Sequence, residues 1–224
     1  MNSGGSTEHL ETERKFDAGP RLVLPDFSGL PGVATVSAAS TQRLTATYFD
    51  TADLRLAAAG ITLRRRTGGQ DAGWHLKLPV GGDTRREVRL PPGRSPRPVP
   101  AELAGLVAAW TGGEALRPVA RLRTTRVVRH LAGGAGRMLA EVADDRVTAA
   151  CASGRADAGE PAWGEPVRWR EIEVEVAGAA PPGLLDAAAQ RLAEAGAAPA
   201  RSSSKLHRLL GPVPPAAAAE GTRQ

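Results

Sequence analysis

The chain has 224 residues, 42% hydrophobic but only 4% aromatic, so it can bury a real core yet offers few side chains for stacking. Its formal net charge of +5 comes from 29 basic residues scattered among 24 acids, which suits an anionic ligand but lacks the dense basic stripe of a nucleic-acid binder. The single cysteine, Cys151, excludes an intramolecular disulfide and a multi-cysteine metal site, and no charged neighbour in TAACAS activates it. The N-terminus MNSGGSTEHL has neither a basic start nor an apolar centre, and no apolar run approaches the ~20 residues of a membrane span. A soluble, cytoplasmic protein of one domain is expected.

Residues 1–7 and the tail from Pro212 to 224 read as disordered flanks around a domain at 8–211. The first strand is ETERKF (11–16). LTATYFD (44–50), ITLRRR (61–66), GWHLKLP (73–79) and TRREVRLP (84–91) follow as strands separated by Gly-rich turns. A short helix fills TADLRLAAAG (51–60), with Thr51 as N-cap and Gly60 as its stop. PPGRSPRPVP (91–100) is a rigid surface connection before an amphipathic helix, AELAGLVAAW (101–110). Strands then run over 119–131, 137–149 and 167–176, with a Gly/Pro-rich loop at 153–166. PGLLDAAAQRLAEAG (182–196) is a helix ending on Gly196, and SSSKLHRLLG (202–211) closes the fold. There is no repeat of fixed period. Many consecutive strands with few helices between them favour antiparallel pairing, as a sandwich or barrel with helices outside.

Side chains alternate along a strand, so Glu11, Glu13 and Lys15 share one face of the first strand. In REIEVEV, Glu171, Glu173 and Glu175 share one face and Ile172, Val174 and Val176 the other. Arg64 and Arg66 share a face, and Lys77 stands between Leu76 and Leu78. Solvated strand faces are commonly polar, but three glutamates in a row repel one another, and faces here are almost purely acidic or purely basic. If the sheet closes, Glu11, Glu13, Glu171, Glu173, Glu175 and one of Asp144 or Asp145 oppose Lys15, Arg64, Arg66, Lys77, Arg126 and Lys205. A dry interior cannot hold such a set, because each ion costs several kcal/mol to desolvate; a wet tunnel can. Carboxylates at i, i+2 spacing suit hard divalent cations, chiefly Mg²⁺ or Mn²⁺, and the surrounding Arg and Lys suit a polyphosphate.

ETERKF resembles the E-x-E-x-K signature that opens the CYTH domains, the triphosphate tunnel metalloenzymes. YFDTADLRLAAAGITLRRR, LKLP, RREVRLP, RTTR, LAEVADD, REIEVEV and SSSKLHRLL resemble further family blocks in the family's order, over about residues 8–211. The resemblance implies an α+β, mainly antiparallel fold: a roughly eight-stranded β-barrel tunnel with flanking helices. It implies hydrolysis of a triphosphate with one or two Mg²⁺ or Mn²⁺ ions. Glu11, Glu13, Glu171 and Glu173 then bind metal, with Glu175 continuing the face. The family's aspartate falls at Asp144 or Asp145; parity with Glu141 favours Asp145, and the apolar run before it favours Asp144. Lys15, Arg64, Arg66, Lys77, Arg126 and Lys205 contact phosphate, and Glu13 and Lys15 are the catalytic pair. Lys15 could instead position or deprotonate the water, which requires a depressed pKa. Arg85, Arg86 and Glu87 look like a family block of less distinct role. Arg65, Arg123 and Arg129 read as outward-facing, His75 and His207 as solvent-facing or capping.

Within the family, inorganic tripolyphosphate, thiamine triphosphate, nucleoside triphosphates and mRNA 5′ ends are hydrolysed, and class IV adenylate cyclases use ATP differently. A cyclase must read adenine, and no base-reading set is visible. A thiamine enzyme needs an aromatic platform, for which Trp169, on the Glu171 face, is the one tryptophan to consider; Thr62 stands two residues before Arg64. Inorganic tripolyphosphate needs no platform and leads. A non-catalytic polyphosphate-binding module is the contrasting reading, since many relatives carry a helical domain associated with polyphosphate, for which the tail here is too short. Intact acids on both sides of the tunnel favour catalysis. A small-molecule triphosphate is the expected partner, with no membrane or nucleic acid, for a monomer or homodimer.

Overall fold

The computed structural model describes residues 6–93, 98–153 and 161–213. Most of both flanks, the centre of the Pro-rich connection and residues 154–160 of the Gly/Pro-rich segment lie outside them. Eleven strands are present among the described residues: β1 Thr7–Asp17, β2 Thr35–Val36, β3 Ser40–Asp50, β4 Thr62–Thr67, β5 Gly73–Gly81, β6 Thr84–Leu90, β7 Arg117–Ala132, β8 Met138–Ser153, β9 Ala162–Trp163, β10 Val167–Val176 and β11 Ala198–Pro199. The α-helices are α1 Arg55–Ala58, α2 Ala101–Leu106, α3 Ala108–Thr111, α4 Leu184–Glu194 and α5 Lys205–Leu210. Eight long strands pair antiparallel in the order β7-β3-β4-β5-β6-β1-β10-β8, and β8 returns to β7, closing a barrel. β1 starts inside the segment set aside as a flank, because Thr7 pairs with Arg89 of β6.

The alternation that puts charge on one face puts apolar side chains on the other, and the barrel turns that second face outward. Ile172, Val174, Val142 and Phe16 are buried under Leu184, Ala188 and Leu192 of α4, joined by Phe27 and Leu30 of the β1–β2 connection. On the opposite wall Leu63, Trp74, Leu76 and Val88 pack against Leu56 of α1, Leu103 of α2 and Val107. A third cluster, including Tyr48, Leu122, Val147 and Leu206 of α5, fills one end of the barrel. The hydrophobic effect therefore holds the barrel from outside and at one end, leaving the rest of the bore polar.

Three local expectations change. The helix at 101–110 breaks at Val107 (φ −108°, ψ 5°) into α2 and α3, where Gly105 and β-branched Val107 weaken propensity. Part of the loop at 153–166 is β9, paired with Ala152 and Ser153 of β8. Thr51 does accept the Arg55 N–H at 3.0 Å, but the main cap of α1 is Asp50. Fully buried, it accepts from the backbone N–H of Thr51 (2.7 Å), Leu56 (2.9 Å) and Ala57 (2.9 Å). Asp50→Ala strands those donors and is expected to cost about 3 kcal/mol in urea denaturation. Gly60 ends the turn at φ +74°. No helix among the described residues is long and apolar enough to cross a membrane.

Candidate functional site

Barrel register decides which charges meet. Glu13 lies opposite Glu175 and Lys15 opposite Glu173 between β1 and β10. Glu171 lies opposite Asp145 between β10 and β8, and Arg126 opposite Asp145 between β7 and β8. Across the bore, Thr62 faces Lys77, Arg64 faces His75, and Lys77 faces Glu87. Glu13, Lys15, Thr62, Arg64, Lys77, Arg126, Glu173 and Glu175 line a cavity of about 390 Å³ whose full lining has eight Lys or Arg residues and six Asp or Glu. The surplus is cationic, so the interior is set for an anion.

On one wall three buried carboxylates converge. One oxygen each of Asp145, Glu171 and Glu173 lies within 4.8 Å of the others. Lys205, the first residue of α5, places its ammonium 2.8, 2.6 and 2.7 Å from oxygens of Asp145, Glu171 and Glu173. Arg126 donates twice to Asp145 (2.8 and 2.7 Å) and once to Glu173 (2.6 Å). Lys15 donates to Glu173 at 2.5 Å and pairs with Glu13 at 2.7 Å. Burial raises the Glu173 and Asp145 carboxyls, but the attached cations outweigh it and hold both below the usual range.

Lys15 is likewise pressed down by burial and lifted further by Glu173 and Glu13, so its net shift is upward. A general base needs the opposite shift. The ammonium instead bridges the acids of β1 and β10.

A second group forms at β1, β5 and β6. Glu11 pairs with Lys77 and, at 3.0 Å, with Arg89; Glu87 pairs with Arg89 and His75. His9, Glu11 and Glu87 also bring ligand atoms within 4.8 Å of one another. His75 is buried, not solvent-facing, with Nδ1 2.9 Å from Glu87 and Nε2 2.8 Å from the Asp71 carbonyl. Burial and the Arg64 and Arg66 charges press this ring down to about 4, while Glu87 pulls it up. An acceptor faces each ring nitrogen, Glu87 on one side and the Asp71 carbonyl on the other, so the tautomer decides which of them takes the N–H.

The cationic wall is Arg64, Arg66 and Arg126. Arg64 donates to the Tyr48 hydroxyl at 3.2 Å, and Arg66 pairs with Asp71. The buried Nε atoms of Arg64 and Arg66 have no hydrogen-bond partner. Burial, then Arg64 and Arg126, presses the Arg66 guanidinium down to about 9. A guanidinium stays protonated in proteins, so this crowding is a like-charge strain that an entering anion relieves.

The expected site residues Glu11, Glu13, Lys15, Arg64, Arg66, Lys77, Arg126, Glu173, Glu175 and Lys205 all line the cavity, and Glu171 and Asp145 lie behind Lys205. Asp144 does not join them. It sits opposite Ile172 on the outer face, where Arg170 grips both its oxygens at 2.8 Å and donates to the Gly19 and Leu22 carbonyls. Asp144 is a strap for the chain after β1, and the tunnel aspartate is Asp145.

Arg123 is exposed, Arg65 donates outward to the Pro92 carbonyl, and His207 lies against Ser204 and the Ala57 carbonyl. Arg85, Glu87 and Arg89, not expected in the site, alternate along TRREVRL as the β1 charges do, and Arg85 and Arg89 line the cavity. Trp169 gives its indole N–H to Glu171 at 2.5 Å, lies beneath Arg208, and does not line the cavity.

Glu175 lines the cavity. Burial first, then Glu11 and Glu13, raises its carboxyl from 4.5 to about 7. The folded protein therefore binds a proton that the unfolded chain releases between pH 4.5 and about 7, and this stabilisation is lost as pH rises through that window. In guanidinium titrations from pH 5 to 8, wild type should lose up to about 3 kcal/mol relative to Glu175→Gln.

A closed antiparallel barrel with an acid-and-base bore defines the tunnel class of fold. The CYTH domain family model matches residues 9–210, and the chain belongs to the CYTH domain family. Uncharacterized protein Rv2226 of Mycobacterium tuberculosis is 49% identical over 215 residues, covering 92% of this chain and 41% of its own length. The chain thus spans about two fifths of the length of the curated relatives it matches.

A crystal structure of a proposed adenylate cyclase from Bacillus halodurans shares the fold, with TM-score 0.59, 15% identity, and coverage of 90% of this chain and 97% of that one. A Hippeastrum protein, described as a proposed adenylyl cyclase with a dominant triphosphatase activity, aligns more distantly, with TM-score 0.46, 15% identity and coverage of 90% and 94%.

Proposed function

We propose that the barrel binds a triphosphate, inorganic tripolyphosphate first among them, and hydrolyses it to orthophosphate and the shortened product. One observation carries this: a buried carboxylate triad that meets the 390 Å³ cavity through Glu173 and Lys205 stands beside a crowded arginine wall with two unpartnered Nε donors. A pure anion binder has no need of the triad.

The oxygen-only donor set of Asp145, Glu171 and Glu173 fits a hard divalent cation, and the seating of an ammonium among them supports a cation-binding role. Glu11 and Glu13 are the donors on β1. Bound Mg²⁺ or Mn²⁺ would supply charge neutralisation at phosphoryl oxygens and a more acidic water.

The chain's own residues do the rest. Arg64, Arg66 and Arg126 offer forked donors to phosphoryl oxygens and meet the charge that spreads over the transferred group and the leaving group. Because packing and ion pairs already fix them, they stabilise the transition state without reorganising. Lys15 stays protonated, bridges Glu13 and Glu173, and presents its charge to the substrate. Glu87 holds Arg89 and His75 behind Lys77 and Glu11.

Trp169 is committed to Glu171 and lies off the cavity, and Tyr48, which does line it, is engaged by Arg64, so neither supports a platform for a thiamine ring. Phosphorus NMR of the products separates the remaining readings. Tripolyphosphate should give orthophosphate and pyrophosphate, and ATP, if used, should give orthophosphate. Pyrophosphate with a cyclic nucleotide from ATP would identify a cyclase and overturn the proposal.

A further inference from the structure

Lys205 stands in the seat that the triad offers a cation. Its ammonium touches one oxygen of each of Asp145, Glu171 and Glu173 at 2.6–2.8 Å, and the residue is 8% exposed. Among the described residues no other cationic side chain contacts all three. An ammonium and a divalent cation cannot share these oxygens, because both are positive and both need the same lone pairs. Lys205 also lines the cavity beside Lys15 and Arg126, so a triphosphate oxygen arriving there can replace the carboxylates as its partner. Its backbone is anchored independently: Leu206 is buried in the end cluster, and Ser204 accepts the His207 N–H at 3.2 Å. Only the flexible side chain needs to move.

From this arrangement we infer that Lys205 is an internal competitor for the divalent cation, so that metal enters the triad together with the triphosphate and not before it. Substrate draws the ammonium off, and the vacated oxygens take the metal carried in with the phosphate. The inference rests on the triphosphatase reading for the identity of the anion, but its central term, competition between Lys205 and a divalent ion, can be measured without turnover.

The test is Mn²⁺ binding followed by electron paramagnetic resonance and calorimetry on the whole chain, with Mn²⁺ alone and with Mn²⁺ plus imidotriphosphate. Lys205→Met, close in shape and uncharged, is expected to bind Mn²⁺ alone on the order of 10–100-fold more tightly than wild type. Imidotriphosphate should tighten Mn²⁺ binding to wild type by a similar factor and to Lys205→Met far less. Lys205→Arg, which keeps the charge, should bind Mn²⁺ as weakly as wild type, and adding Glu171→Gln to Lys205→Met should abolish the gain. Thermal melting with and without Mn²⁺ checks folding: the ion should raise the midpoint of Lys205→Met more than that of wild type. Equal or weaker Mn²⁺ binding by folded Lys205→Met would overturn the inference and leave phosphate release by wild type untouched. Loss of phosphate release with the competition intact would instead count against the triphosphatase reading.

Discussion

Arg126→Ala should lower kcat/KM for tripolyphosphate by about 10²–10³-fold, the loss typical when one preorganised electrostatic donor is removed from a transition state. The guanidinium ties the arginine wall to the carboxylates. It is fixed by two hydrogen bonds to Asp145 and one to Glu173, and it faces the cavity beside Arg64 and Arg66. Its position across from Asp145 follows from the register of β7 and β8. Arg126→Lys keeps the charge but not the planar fork, so it should recover only part of the loss. Steady-state kinetics on both variants, with circular-dichroism melts to confirm folding, checks this. An alanine variant within threefold of wild type would show that Arg126 only supports the wall.

Glu173→Gln should cause the largest loss of stability, about 3–5 kcal/mol in denaturant titrations, because removing one member of a buried ion pair strands the others. Three cations converge on this carboxylate: Lys15 at 2.5 Å, Arg126 at 2.6 Å and Lys205 at 2.7 Å. Their combined pull holds Glu173 well below the ordinary carboxylate range despite its burial. Glutamine fills the same volume without the charge. A polyanion in the cavity should restore part of the loss by partnering the released cations, which a simple packing defect would not allow.

Much of this architecture is readable in alternation alone. REIEVEV carries a charged and an apolar face and ETERKF a charged face with Phe16 on the other side, and the barrel closes the charged faces inward while α4 covers Ile172 and Val174. What alternation leaves open is register between strands, a long-range property. The choice between adjacent Asp144 and Asp145 illustrates it: one lies opposite Ile172 and the other opposite Glu171, and a one-residue slip would exchange them.

His75 misleads because a histidine in a Gly-flanked strand looks solvated, whereas the closure of β5 against β6 sets Glu87 beside it. Glu87 and Arg89 are missed as site residues because TRREVRL carries charge on both faces, which hides the inward set. The α1 cap is missed because Asp50 reaches six and seven residues ahead, beyond the usual capping spacing.

The most direct measurement is phosphate release from tripolyphosphate by wild type with Mg²⁺, with Mn²⁺ and with neither, beside Glu13→Gln and Lys15→Ala. Release that requires a divalent cation and that both substitutions abolish is the predicted result. Tight tripolyphosphate binding with no release under any of the three conditions would contradict a hydrolytic tunnel and leave a polyphosphate-binding barrel in its place.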